Sequence, residues 1–244
     1  CSTDENAIRK AIAATPPKAP PIGDGTTLAD RALRATTNPT MASDPLAFDL
    51  MKRVVATYSD AKCRTLIQRI KKDGMWMTPT LIRLKTMEFG DDPAFRHDPN
   101  LRYAPAKSRA RWEEMAQQFP TLITPDRRAT LKKFWALQLR LTKLLDDGGV
   151  PMMTGTDAGD AGQWEISGIT LHEEFDLLHQ AGLKPLTILQ MTTINGAKFL
   201  HREDHMGTVA TGKDANLVLL DANPVASEAN LHRIDAVVRS GNYY

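Results

Sequence analysis

Gly149-Val-Pro-Met-Met-Thr-Gly-Thr-Asp-Ala-Gly159 is the stretch on which the fold turns. Val150 to Thr156 is a short apolar and β-branched run bounded by Gly149, which predicts a buried strand. Asp157 leaves that strand into a glycine-containing loop. An α/β barrel keeps its active site at the C-terminal ends of its strands, so a carboxylate here stands where chemistry is done. It can ligate a metal, or take a proton from a metal-bound water and deliver it to a leaving group. On position alone, capping of the following turn accounts for Asp157 equally well.

Upstream, Met75-Trp-Met-Thr-Pro-Thr-Leu-Ile82 is a second short apolar run and predicts a second buried strand. Between the two, amphipathic helices are expected over 109 to 119 and 126 to 146, the second stopping at Asp146-Asp-Gly-Gly149. Strand, long helical crossover, strand is the order of a parallel α/β sheet or barrel, because parallel neighbours need such a crossover. Residues 90 to 109, rich in Asp and Pro, read as a long irregular excursion inside a loop over 83 to 110, which would serve as a lid.

Nearer the start, residues 5 to 14 fit a short helix, and Pro16 to Gly25 a loop or linker. Helical spacing over Pro45 to Lys72 fits two helices with Asp60 as an N-cap between them. From Gly207 onward the texture becomes strand-like, in Gly207 to Ala210, Asn216 to Leu220 and Ile234 to Gly241. The division expected is therefore 1–206 for the barrel part and 207–244 for a small β domain.

The 244 residues are 42% hydrophobic and 25% charged, with a formal net charge of +2, an ordinary globular composition. That balance gives no field suited to nucleic acid, and the basic runs Arg69–Lys72 and Arg127–Lys133 read as solvated helix faces. No segment reaches the roughly 18 apolar residues of a membrane span. Cys1 and Cys63 have no metal-type spacing and suggest no disulfide framework. Cys1-Ser-Thr-Asp before a Pro-rich stretch would suit an acylated lipoprotein start; the alternative is that the sequence simply begins at an internal cysteine. Cytoplasmic and periplasmic locations both stay open.

Several motifs in order carry a resemblance. Gly149 to Gly159 is followed by Leu171-His-Glu-Glu-Phe175, Ala181-Gly-Leu-Lys-Pro-Leu186, Thr192-Thr-Ile-Asn-Gly-Ala197 and Gly212-Lys-Asp-Ala-Asn-Leu-Val-Leu-Leu-Asp221, and the series closes on Val237-Val-Arg-Ser-Gly241. This resembles the amidohydrolase superfamily of metal-dependent hydrolases, in particular its imidazolonepropionase-like and Xaa-Pro and Xaa-Arg dipeptidase-like branches, over about 147 to 241 and more loosely over 45 to 85. The resemblance implies the C-terminal part of a (β/α)8 TIM barrel with part of a small composite β-sandwich. In that family the aspartate ending the eighth strand binds the catalytic metal and acts as general acid/base, a position matched by Asp157. Zinc, as one or two ions in the complete protein, or another divalent metal, is the cofactor implied.

Departures from the family pattern are as informative. No His-x-His pair occurs and no histidine precedes His97, so the ligands of the earlier strands have no counterpart and Cys1 is expected to fall just after the sixth strand. His172, on the helix after the eighth strand, is the candidate for substrate contact. His172 and His179 are too far apart for an i, i+4 clamp. His201 and His205 have ligand-like spacing but fall at a solvent-facing turn, and His97 and His232 read as surface residues. Glu165, Glu173 and Glu174 read as first-turn helix charges; Trp164 reads as a pocket wall, and Trp76, in an apolar strand, as core or pocket wall. No phosphate loop, nucleophile elbow or dinucleotide fingerprint is present.

The expectation is thus a hydrolase of C–N bonds in amides, cyclic amides or dipeptides, working through a metal-activated water with Asp157 as proton carrier, and competent only with an N-terminal half. A homo-oligomer is compatible with it. The alternative is a metal-free barrel remnant that binds or scaffolds, since one carboxylate cannot hold a catalytic zinc that wants three protein ligands.

Overall fold

A computed structural model describes residues 1–14, 38, 40, 45–159 and 162–244. The linker expected over Pro16 to Gly25 lies outside the described residues. The chain divides into two compact units, one of Cys1–Leu66, Ile82–Gln138 and Thr156–Thr170, the other of Ile67–Leu81, Leu139–Gly155 and Leu171–Tyr244.

In the first unit, α1 (Glu5–Ala14), α2 (Pro45–Ala56) and the start of α3 (Asp60–Lys72) follow the expected helices. The cap before α3 is Ser59, whose Oγ accepts from Lys62 N at 3.4 Å, one residue earlier than expected. The chain start is laid along residues 57 to 59, with Thr3 N donating to Thr57 O and Ser59 N to Cys1 O, both at 2.7 Å. Cys63 follows one helical turn after Ser59 and is joined to Cys1 by a disulfide. This corrects the expectation of no disulfide: the antiparallel alignment, invisible in a 62-residue spacing, brings the two sulfurs together. A lipid thioether on the Cys1 sulfur and this disulfide are mutually exclusive.

The segment 83 to 110 is not the irregular lid expected. It holds α4 (Leu81–Glu88), α5 (Pro93–Arg96) and a 3-10 turn (Pro99–Tyr103). Both Asp-Pro pairs that read as loop signals start helical turns: Asp92 Oδ1 accepts from Ala94 N at 2.9 Å and Asp98 Oδ1 from Asn100 N at 2.8 Å. A capping carboxylate followed by proline at the first helical position, where no N–H is needed, is a favoured start. Next come α6 (Ala106–Leu122) and α7 (Pro125–Asp147), close to expectation. Phe48, Phe119, Ile123 and Leu131 form the core of this unit, with Met51 and Phe89 against it.

In the second unit, α7 ends at Asp147 and is followed by Gly149, whose φ of 68° is the left-handed conformation that glycine adopts without a Cβ penalty. Val150 N then reaches back to Leu145 O at 3.1 Å and closes the turn. The two expected strands are reduced to a single parallel bridge, Met77 with Met152, made by Met77 N to Pro151 O and Met153 N to Met77 O, each 3.0 Å. Helix α4 takes over at Leu81, and Met75 is exposed rather than buried. On its other side the 150–156 segment is satisfied by non-strand partners: Asn195 Nδ2 donates to Met152 O at 2.8 Å, and Thr154 N donates to Met191 O at 3.3 Å. Parallel order survives, but a continuous ladder does not.

Helices α8 (Ile169–Gln180), α9 (Pro185–Thr192) and α10 (Ile194–Phe199) follow. Leu178, Leu183, Ile188 and Met191 from this region are almost fully buried, each worth roughly 1.5–3 kcal/mol of apolar transfer. The chain finishes in an antiparallel sheet of β1 (Leu217–Leu220), β2 (Ile234–Arg239) and β3 (Asn242–Tyr243). Leu217 pairs with Val238, Val218 with Val237 and Leu219 with Ala236 before the register shifts. Gly207 to Ala210, expected as a strand, is not one.

Candidate functional site

Asp157 lies in the first unit, directly after the 150–156 segment. Its φ is +54°, a left-handed value that costs a non-glycine residue energy and persists only where the surroundings impose it. Ala158 N donates to Thr156 Oγ1 at 3.1 Å, holding the turn on its far side. The Asp157 side chain is 77% exposed, and Arg83 Nε lies 3.9 Å from its Oδ2. That distance is an ion pair without a hydrogen bond.

Arg83 is set by a group at the other end of the same loop. Its side chain is 11% exposed, and its Nη1 donates to Glu165 Oε1 at 3.2 Å; the Glu165 side chain is fully buried. Thr86 Oγ1 lies 3.2 Å from the same oxygen and 3.0 Å from the Arg83 carbonyl. Arg83 and Thr86 are three residues apart on α4, hence on one face. Burial pushes the Glu165 carboxyl up to about 7, while the Arg83 guanidinium pulls the other way. Its Oε2 is buried with no hydrogen-bond partner among the described residues.

Residues 162–164, just before Glu165, are fixed by buried hydrogen bonds. Trp112 Nε1 donates to Gly162 O at 2.6 Å, and Trp164 Nε1 donates to Gly90 O at 2.7 Å. Gln163 Nε2 also donates to Gly90 O, at 3.3 Å, and its Oε1 accepts from Asn38 Nδ2 at 2.6 Å. Trp164 is therefore a buried anchor with φ +60°, not a pocket wall.

The second unit holds His172, His179 and His232. The His172 ring packs edge-on against Phe175 and at 5.1 Å from His232, and its Nδ1 is buried with no hydrogen-bond partner among the described residues. Burial, reinforced by His232, lowers its pKa. His232 Nε2 is 2.9 Å from Asp176 Oδ1, and His179 Nδ1 is 3.3 Å from Glu228 Oε2. His232 is exposed, as read from the sequence, and has a carboxylate partner there. Trp76 is half-buried against Phe199.

Two sequence readings need correcting. Glu165 precedes α8 and is a buried partner of Arg83, not a first-turn charge. Glu174 is fully buried inside α8, its Oε1 accepting from Leu81 N at 3.0 Å. Arg83 and Thr86 went unrecognised because 83 to 110 reads as irregular, their i, i+3 spacing being the signal available; Gly162 carries no local signal of the carboxyl packed against it.

Among the described residues no group of three or more His, Cys, Asp or Glu side chains is placed to hold a metal ion. Asp157 has an arginine beside it rather than further ligands, so this donor set does not by itself fit zinc. A groove of about 430 Å³ in the first unit, lined by Pro120, Ile123, Pro125, Arg128, Ala129 and Lys132, contains none of these candidates.

Residues 132–243 match the amidohydrolase family. Among solved structures the fold is similar to that of a Xaa-Pro dipeptidase with methionine bound in its active site, at 20% identity over 89% of this chain and 42% of that one, with a TM-score of 0.50. It is also similar to bottromycin amidohydrolase, at 18% identity over 98% of this chain and 52% of that one, with a TM-score of 0.61. The chain thus spans about half the length of these structures or less, and at such identities the likeness is one of fold. No curated protein matches by sequence. The likeness to the amidohydrolase family is thus carried by residues 132–243, and the fold of the chain is similar to part of those longer structures.

Proposed function

We propose that the chain forms part of a hydrolase acting on carbon–nitrogen bonds, with an amide, cyclic amide or dipeptide as substrate and Asp157 as the group that moves the proton. The observation that carries this reading is the placement of Asp157: it follows directly on the segment that keeps a parallel bridge, it is exposed, and its backbone is left-handed. An exposed carboxylate there accepts a proton from an attacking water and returns it to the leaving nitrogen. His172, in the second unit, keeps the proposed role of a substrate contact.

Zinc, as one or two ions, or another divalent metal, belongs to this reading through the family. The described residues do not supply its ligands, so the remaining donors would come from polypeptide outside them. The same shortfall favours the second reading, a barrel segment that binds or scaffolds without metal.

The C-terminal sheet supports a composite domain. Neighbours along β1 point to opposite faces, yet Val218 and Leu219 are each more than half exposed. A strand apolar on both faces is suited to burial on both. We assign 207–244 to a β-sandwich completed by further polypeptide and 1–206 to the barrel part.

The test is direct: the full-length protein, with zinc present, is assayed for release of free amino acid from a dipeptide panel that includes alanyl-proline. Turnover of an amide bond supports the hydrolase; binding without turnover across the panel supports the scaffold.

A further inference from the structure

We propose that Arg83 and Glu165 are positioning residues for Asp157, forming a clasp that closes the 157–165 loop on one guanidinium. The assignment of a functional role to that clasp rests on the reading of Asp157 given above; its geometry does not.

Three observations converge. Asp157 and Glu165, eight residues apart, approach the same arginine, at 3.9 Å and 3.2 Å. The arginine is anchored outside the loop, on α4, and is nearly buried, so it is a fixed point rather than a solvated side chain swinging between partners. Glu165 is more deeply buried still and is held against Thr86 as well, so it sets the guanidinium and is set by it.

The two ends of the clasp differ in kind. At the Glu165 end a hydrogen-bonded, buried pair fixes orientation; an arginine's planar fork makes such orientation transferable from one edge to another. At the Asp157 end the contact is electrostatic and open to solvent, so the carboxylate is drawn to one side of the loop without having its oxygens occupied by hydrogen bonds from the arginine. A carboxylate that must carry a proton needs that arrangement: placed, but still available. Because arginine stays protonated throughout the working pH range, the attraction is constant.

The clasp makes the loop's two ends interdependent. Removing the guanidinium leaves Glu165 buried without its counter-charge and releases Asp157 from its only ion-pair partner among the described residues. Breaking a buried pair on one side is far more disruptive than losing an exposed one. Lysine at the same place keeps the charge but loses the fork, so it holds one end at most.

The test is amide hydrogen exchange over residues 156–166 in the full chain, comparing wild type with Arg83→Met, Arg83→Lys, Glu165→Gln and Asp157→Asn. The expected result is exchange faster by about tenfold or more in Arg83→Met across the whole loop. Arg83→Lys should recover part of that protection, Glu165→Gln should also loosen the loop, and Asp157→Asn should affect only the residues beside it. Exchange unchanged in a folded Arg83→Met protein overturns the proposal. Should Arg83→Met not fold, Arg83→Lys and Glu165→Gln decide it: wild-type protection in both overturns it. Activity separates the two claims, since Asp157→Asn with full activity contradicts the functional reading while leaving the exchange result intact. If Asp157→Asn abolishes turnover and Arg83→Lys leaves kcat at the wild-type value, the positioning role fails and the functional reading stands.

Discussion

A Cβ placed on Gly162 would overlap Oε2 of Glu165, so the loop passes this buried carboxyl only because position 162 carries no side chain. The neighbouring backbone is also committed, since Gly162 O accepts the Trp112 indole. Relief by moving the loop would therefore break another buried hydrogen bond.

Gly162→Ala should destabilise the protein by about 1–3 kcal/mol, the usual cost of overpacking a well-filled site. Urea unfolding of the variant against wild type measures it. A change within experimental error would mean that Glu165 can move away freely, which the buried pair with Arg83 does not allow.

Stability should fall as pH rises from about 5 to 8.5. Burial pushes Glu88 up to about 8 and Glu165 up to about 7, whereas in the unfolded chain both titrate near the ordinary glutamate value. Between those limits the folded state binds more protons than the unfolded state, so the protonated form's stability is complete below the unfolded pKa and is lost as pH climbs through the folded values. Urea midpoints across this range check it. Glu88→Gln, which keeps the size and removes the titration, should flatten the upper part of the decline; a flat wild-type profile contradicts the burial argument.

Reducing the Cys1–Cys63 disulfide, or replacing Cys63 by Ser, should cost about 4 kcal/mol on the chain-entropy estimate for a loop closed across 62 residues. The readout is the denaturation midpoint with and without reductant. The strands of backbone pairing between residues 1–3 and 57–59 should loosen with it, seen as faster proteolysis at the chain start. An unchanged midpoint would mean that the unfolded chain is not constrained by the link.

Glu174→Ala should cost about 1–3 kcal/mol, because it leaves the buried Leu81 N–H without its carboxylate acceptor. Thermal or urea unfolding reads it. An effect as small as that of a surface substitution would contradict the buried position of Glu174.

Much of the helical half was legible in the sequence because the signals were local. Spacing of apolar residues found α1, α2, α3, α6 and α7, and the Asp-Asp-Gly-Gly stop found the end of α7. The place of Asp157 directly after an apolar run is read from the sequence, whereas its left-handed backbone and its arginine neighbour are not. What was not legible depended on distant partners. Glu165 and Glu174 looked like helix charges because nothing in their own neighbourhood announces Arg83 or the Leu81 amide. The Asp-Pro pairs at 92–93 and 98–99 misled for a different reason: the same dipeptide opens turns and short helices, and only the capping geometry tells them apart. The disulfide hung on an antiparallel alignment of residues that the spacing of two cysteines does not encode. The strand around Met77 was read from composition, but a strand needs neighbours, and along the described residues it keeps one bridge.

The central claim is that Asp157 moves the proton in C–N bond hydrolysis. Its most direct test is kcat for release of proline from alanyl-proline, or from whichever dipeptide the full-length protein turns over, in wild type and Asp157→Asn, with fold and metal content matched. The account predicts a fall in kcat of about 100-fold or more, the scale of a lost general acid/base. Undiminished turnover by Asp157→Asn would contradict it.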